Sequence, residues 1–230
     1  MAKGYFITGT DTEIGKTTIA TALLAGFEQR GFSTLALKPI ASGAVETAAG
    51  WRNEDALALQ HAATVALDYQ QVNPLLFNVP VAPIIAAQIE QNPIDFDILV
   101  SACYQTLRIP ADIACVEGVG GLLQPLHETV TQIDLVQALN LPLILVVGLK
   151  LGCINHALLT THYIRQHNLS FAGWVANHLI TDETHCAQMI HVLRKYIDAP
   201  LLGDMPYAPQ ATALQRAHCF NASVFALSNV

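Results

Sequence analysis

The chain has 230 residues, 52% of them hydrophobic and only 13% charged, a balance that excludes intrinsic disorder and suits a well-filled α/β core. Eighteen acids against 11 lysines and arginines give a formal net charge of -7 with no basic cluster, which excludes a nucleic-acid footprint. So low a charge density fits either a large core or apolar surface covered by a second subunit.

Met1 to Ile7 reads as an initiating strand, with its centre at Tyr5–Thr8, and its apolar run is too short for a secretory leader. Gly9-Thr10-Asp11-Thr12-Glu13-Ile14-Gly15-Lys16-Thr17 follows and matches GxxxxGK[ST]. The glycines let successive N–H groups face a phosphate chain, and the helix start adds its positive dipole end. Lys16 would reach the β- and γ-phosphates, and the Thr17 hydroxyl would ligate Mg²⁺. The spacing predicts a helix over Thr17 to Arg30, with Ile19, Leu23, Leu24 and Phe27 on one stripe and Gly31 as its stop.

A second strand is expected at Thr34–Lys38, ahead of Pro39-Ile40-Ala41-Ser42-Gly43. Ligands of parallel sheets bind outside the carboxyl ends of the strands, so Lys38 shares a rim with the P-loop. Asp55 opens the next helix and by itself reads as an ordinary helix N-terminal acid. Glu117 ends the apolar strand Ile113–Glu117 and precedes Gly118-Val119-Gly120-Gly121. A carboxylate at a buried strand tip facing a P-loop is where Mg²⁺ chemistry puts its acid, and the glycines permit close approach of a ligand.

Further strands are expected at Leu143–Val147, Ala172–Ala176 and Ser223–Leu227. The longest apolar run, Leu141–Leu149, contains a proline and a glycine and cannot span a bilayer. Several strands are apolar throughout, as burial on both faces requires, and helices alternate with them. The expectation is one domain over residues 1–230: a doubly wound, mostly parallel sheet flanked by helices, P-loop NTPase-like.

Cys103, Cys115, Cys153, Cys186 and Cys219 are odd in number and lack a CxxC pair. They read as reduced, mostly buried small residues of a cytoplasmic protein. His162 and His167, and His185 and His191, are not spaced to stack on one helix face, and no HExxH occurs, so no transition-metal site is expected.

Taken together, GTDTEIGKT (9–17), KPIASG (38–43), RNEDALAL (52–59), VNP (72–74), VEGVGG (116–121), VVGLKLGCINHALLT (146–160), GWVAN (173–177) and APLLG (199–203) resemble the dethiobiotin synthetase family. The resemblance implies closure of a cyclic urea on 7,8-diaminopelargonate with CO₂ and MgATP, by way of a carbamate and a carbamic-phosphoric anhydride. It implies that Glu13, Ile14, Gly15, Lys16, Thr17 and Thr18 wrap the ATP phosphates, and that Gly118, Val119 and Gly120 approach the nucleotide. Thr17, Asp55 and Glu117 would hold Mg²⁺. Thr12, Lys38 and Ser42 would contact the diamine or its carbamate, with Thr12, Lys16 and Lys38 the catalytic groups.

The same resemblance gives the adenine edge to Asn177, assisted by backbone at Pro206, Tyr207 and Ala208. His178 stands beside Asn177 where the family often has aspartate, and Ala82-Pro83-Ile84 lacks a histidine that many members carry. Gly152, Cys153, Ile154 and Asn155 would hold the substrate carboxylate from the neighbouring subunit of a homodimer. The rival reading is a partitioning-type P-loop ATPase switch. Such proteins usually carry a second, early P-loop lysine, and Thr10-Asp11-Thr12 has none. A cobyrinate-type amide ligase would append a glutaminase domain, for which the chain is too short.

Overall fold

Four runs are buried at every position: Gly4 to Gly9, Thr34 to Leu37, Ile113 to Glu117 and Leu143 to Leu149. Strands covered on both faces have this character. The structure is a computed structural model and describes residues 2–181 and 184–226; Met1 and Leu227, which end the first and last expected strands, lie outside the described residues.

In chain order the elements begin β1 (Lys3–Gly9), α1 (Lys16–Glu28), β2 (Thr34–Leu37), β3 (Ile40–Ser42), β4 (Val45–Thr47), β5 (Gly50–Arg52), α2 (Glu54–Ala62) and α3 (Tyr69–Val72). They continue with β6 (Leu75–Phe77), α4 (Pro83–Ile89), α5 (Phe96–Leu107), β7 (Ile113–Glu117), α6 (Gln132–Leu139) and β8 (Leu143–Leu149). The last are α7 (Cys153–Gln166), β9 (Phe171–His178), α8 (Cys186–Tyr196), β10 (Leu201–Met205) and α9 (Ala213–Ala217).

The main sheet runs β10-β9-β8-β1-β7-β2, and every neighbouring pair is parallel. The chain leaves β1 for the β2 edge, fills the gap with β7, then crosses to β8 on the other side of β1. That reversal flanks β1, so the binding crevice opens at its carboxyl end. Two smaller ladders, parallel β3–β6 and antiparallel β4–β5, lie beyond the end of β2.

Local chemistry starts the helices. Asn53 Oδ1 accepts the Ala56 N–H at 3.2 Å and caps α2. Thr131 and Asp134 form a reciprocal capping box on α6. Most of the core is one cluster around β1, β2, β7 and α1. A second joins Leu145, Val147 and Trp174 of the sheet to Ala157 of α7 and to Ile190 and Leu193 of α8.

The short strands β3 to β6 were not among those expected from the sequence, and two further segments depart from that expectation. Leu201–Met205 forms an edge strand on β9 although Gly203 and Asp204 interrupt its apolar run; pairing with a preformed neighbour outweighs weak intrinsic preference. The expected strand at Ser223–Leu227 is instead a 3₁₀ turn over Ala222–Phe225. Phe225 sets that outcome. Its ring meets Phe27 edge-on at 5.0 Å and carries the Arg30 guanidinium at 3.9 Å, while Tyr5 Oη donates to Val224 O at 3.2 Å. The segment is thereby pinned on α1 and not laid along a sheet edge.

Candidate active site

The loop after β1 turns back on itself through Glu13 and Gly15, with φ of 57° and 86°. Gly15 has a second constraint: a Cβ there would lie 2.3 Å from Asn177 Nδ2, which donates to Ile14 O at 2.7 Å. The amide of Asn177, at the end of β9, therefore shapes the P-loop from below. Asp11 braces the other side, accepting the Thr12 N–H on Oδ1 at 2.8 Å and Lys150 Nζ on Oδ2 at 2.7 Å. Lys16 Nζ donates to Asp11 O at 2.9 Å.

Beside this loop four side chains meet. Lys38 Nζ, at the end of β2, donates to Glu117 Oε1 at 2.5 Å, to Asp55 Oδ2 at 3.1 Å and to Gly118 O at 3.4 Å. Thr17 Oγ1 donates to the same Glu117 oxygen at 2.9 Å. Lys38 and Glu117 are 4% and 1% exposed, and Lys16 is 7% exposed.

Burial pushes Lys16 down to about 8, with Lys38 adding like-charge repulsion. Burial works against the Lys38 ammonium too, but Glu117 and then Asp55 outweigh it and hold the group above the ordinary lysine range. Burial pushes Glu117 up against the pull of Lys38. For Asp55 burial is outweighed by Lys38 and by the Thr17 hydroxyl, and the carboxyl sits below its usual value.

These groups line a cavity of about 580 Å³. Thr12, Glu13, Gly15, Lys16, Thr17, Thr18, Lys38, Ser42, Asp55, Glu117, Val119 and Gly120 of the sequence-derived set all face it. Asn53, Gln124 and the wall at Pro80–Pro83 also face it, and the sequence analysis gave none of them a site role. Asn53 carried a signal as the capping residue before Glu54, and Ala82-Pro83 one as the place of a missing histidine. Gln132 was also missed. It lies buried beneath Gly118, where a Cβ would come 2.5 Å from its Oε1, and that oxygen accepts the Val119 N–H at 2.6 Å.

Ile14, Gly118, Asn177, His178, Pro206, Tyr207 and Ala208 are not on the cavity wall, although all border the same sheet edge. His178 Nε2 pairs with Asp204 Oδ1 at 2.6 Å, linking β9 to β10. Ala208 O accepts Arg216 Nη2 at 2.6 Å and holds the segment after β10 in place. Gly152, Cys153, Ile154 and Asn155 form the first turn of α7 and stand outside the cavity, and Cys153 is buried. Lys150, bonded to Asp11, ties that region to the P-loop.

A family model described as an AAA domain matches residues 3–215. The ATP-dependent dethiobiotin synthetase BioD of Vibrio parahaemolyticus is 44% identical, over 92% of both chains. The chain belongs to the dethiobiotin synthetase family. The enzyme of that name from Cellvibrio japonicus is 48% identical over 92% of each chain, and BioD 1 of Escherichia coli is 46% identical over 90% of this chain and 92% of that one. Among solved structures, a ParA family ATPase from Chlorobium tepidum aligns with a TM-score of 0.56 at 12% identity, over 94% of this chain and 91% of that one. The septum site-determining protein MinD from Pyrococcus horikoshii, complexed with Mg-ADP, gives 0.52 at 15%, over 91% of this chain and 83% of that one. At such identities the likeness is one of fold, and this dethiobiotin synthetase family member shares a P-loop NTPase architecture with both. No helix among the described residues is long and apolar enough to cross a membrane.

Proposed function

We propose that this chain is an ATP-dependent ligase that closes the cyclic urea of dethiobiotin on 7,8-diaminopelargonate, consuming CO₂ and ATP and releasing ADP and phosphate. The observation that carries the reading is the buried cluster of Lys38 between Glu117 and Asp55, one hydroxyl away from the P-loop through Thr17.

One amine of the diamine forms an N–C bond to CO₂ and loses a proton, giving a carbamate. A carbamate oxygen takes the γ-phosphoryl group of ATP as ADP leaves. The second amine then attacks the carbonyl carbon, loses its proton and expels phosphate. Amines of this kind have pKa values near about 10, and neighbouring cations disfavour their ammonium form. Lys16 and Lys38 supply those cations, and the same charges stabilise the carbamate and the charge spread over the transferred phosphoryl group. Thr12 and Ser42 contact the diamine end. The Ser42 hydroxyl is a buried group on the cavity wall with no hydrogen-bond partner among the described residues. Asn177, His178 and the Pro206, Tyr207 and Ala208 backbone border the adenine.

Thr17, Asp55 and Glu117 suit Mg²⁺. They are hard oxygen donors, and Glu117 Oε2 is a buried carboxylate oxygen that no described group satisfies. Bound there, the ion would neutralise charge on the phosphoryl oxygens. The reading includes a homodimer in which Gly152, Cys153, Ile154 and Asn155 serve the neighbour's cavity. It is supported by their position outside their own cavity, and by Leu151 and Leu159 nearby, 95% and 63% exposed. Five free cysteines fit the reducing cytoplasm.

Phosphate release from MgATP tests the reading. It is expected to require both 7,8-diaminopelargonate and bicarbonate, with a cyclic urea detected by mass; release indifferent to the diamine overturns it.

A further inference from the structure

The segment Val72-Asn73-Pro74 is set apart by the resemblance, yet none of its residues lines the cavity. Its contacts lead to the backbone of Lys38. β2 ends at Leu37, and Pro39 has no N–H to extend a ladder. Both peptide groups of Lys38 must therefore find partners elsewhere, since buried backbone polar groups are costly to leave unpaired. Lys38 N–H donates to Val72 O at 2.7 Å, and Lys38 O accepts from Asn73 Nδ2 at 2.7 Å. The lysine is gripped on both sides by this one segment.

The grip continues to the opposite carboxylate. Asn73 Oδ1 accepts from Tyr69 Oη at 3.1 Å, and Tyr69 Oη accepts the Asn53 N–H at 2.8 Å. Asn53 caps the helix that carries Asp55, and its Nδ2 donates to Ser42 O at 3.3 Å and Gly43 O at 3.1 Å. Asn53, Tyr69 and Asn73 are all buried. Burial raises the Tyr69 hydroxyl, which keeps it protonated and able to donate, and the Arg52 guanidinium lies 4.3 Å from the ring centroid. Every member of the chain Asn73–Tyr69–Asn53 is uncharged, so it fixes geometry without altering the field of the two lysines and two carboxylates.

We infer that Asn73, Tyr69 and Asn53 are positioning residues that set the spacing of Lys38, Ser42 and Asp55 for the ligase reaction. The inference rests on the dethiobiotin-forming reading for its consequence in turnover, and on bonding alone for its consequence in geometry. A linked polar network of this kind holds its members in one arrangement only while each bond is made. Small misplacement of reacting groups is expensive in rate.

Tyr69→Phe tests it, because the ring and its Arg52 contact remain while both hydrogen bonds of the hydroxyl are lost. Turnover per folded protein is expected to fall about tenfold to a hundredfold, with a smaller change in the KM for ATP, because the Gly15–Thr18 loop meets the network only indirectly, through Asp55 and Lys38. Thr106→Val is the control. It removes a hydroxyl that donates to Gln71 O at 3.1 Å in the same segment but leads to neither Lys38 nor Asp55. It is expected to lower Tm and leave kcat unaltered. A crystal structure of the Tyr69→Phe protein reads the separation of Lys38 Nζ and Asp55 Oδ2 directly, and it is expected to lengthen beyond 3.1 Å. An unchanged separation overturns the inference whatever reaction the wild type performs. An unchanged kcat in an enzyme whose wild type makes dethiobiotin does so too. A wild type with no diamine-dependent turnover but a lengthened separation in the variant overturns only the functional reading.

Discussion

Lys38 and Glu117 come from neighbouring strands 79 residues apart in sequence, yet their charged atoms lie 2.5 Å from each other at the ends of β2 and β7. Parallel pairing of the two strands, in register from Thr34 with Ile113 to Leu37 with Val116, brings both side chains to one edge. The pair leaves Glu117 with one bonded and one orphaned oxygen, and it points Lys38 at Asp55.

Lys38→Ala is expected to lower turnover by roughly 10²–10³, the scale of losing one transition-state donor. ATP binding should be largely kept, since Lys16 and the loop amides are untouched. Steady-state phosphate release with the diamine present measures the first and nucleotide titration the second. An unaltered rate would remove Lys38 from the mechanism.

The pH dependence follows from Lys16. Its ammonium titrates near about 8 in the ligand-free protein, below the ordinary 10.5, so the cation that meets the phosphates is lost as pH rises through about 8. The expected profile of kcat/KM for ATP falls above that pH. Stability has the opposite sign. Between about 8 and 10.5 the unfolded chain binds a proton that the folded one does not, so this group's contribution to folding becomes more favourable as pH rises through that window. A kcat/KM profile flat to pH 10 contradicts the assignment.

Asn155→Ala addresses the shared site. Its expected effect is a larger rise in KM for 7,8-diaminopelargonate than in KM for ATP, together with a dimer by sedimentation. Equal changes in both constants, or a monomer, would count against donation of α7 to a neighbour.

Phe225→Ala removes the ring that joins the 3₁₀ turn to Phe27 and Arg30. A loss of about 3–5 kcal/mol is expected, the usual range for truncating a buried phenylalanine to alanine. Urea unfolding reads it, and activity well below the transition should be near normal because the ring is remote from the cavity. A loss under about 1 kcal/mol would show that the Phe225 contact is dispensable.

What the sequence determined by itself was whatever local pattern encodes. GTDTEIGKT placed between an apolar run and an amphipathic one specifies a phosphate loop, because the turn, the helix start and the lysine are contiguous. Unbroken apolar runs announced the buried parallel strands β1, β2, β7 and β8, and Lys38 and Glu117 could be placed on one rim because parallel strands share a carboxyl edge. Tertiary structure decided the rest. β10 formed on a weak sequence because β9 offered an edge, and Ser223 to Phe225 became a turn because a distant helix offered Phe27. The work of Asn73, Tyr69 and Asn53 was equally hidden, since a buried amide or hydroxyl has no periodicity. Its role is set by which donor or acceptor the fold brings within 3 Å or so, and that depends on contacts between segments far apart in the chain.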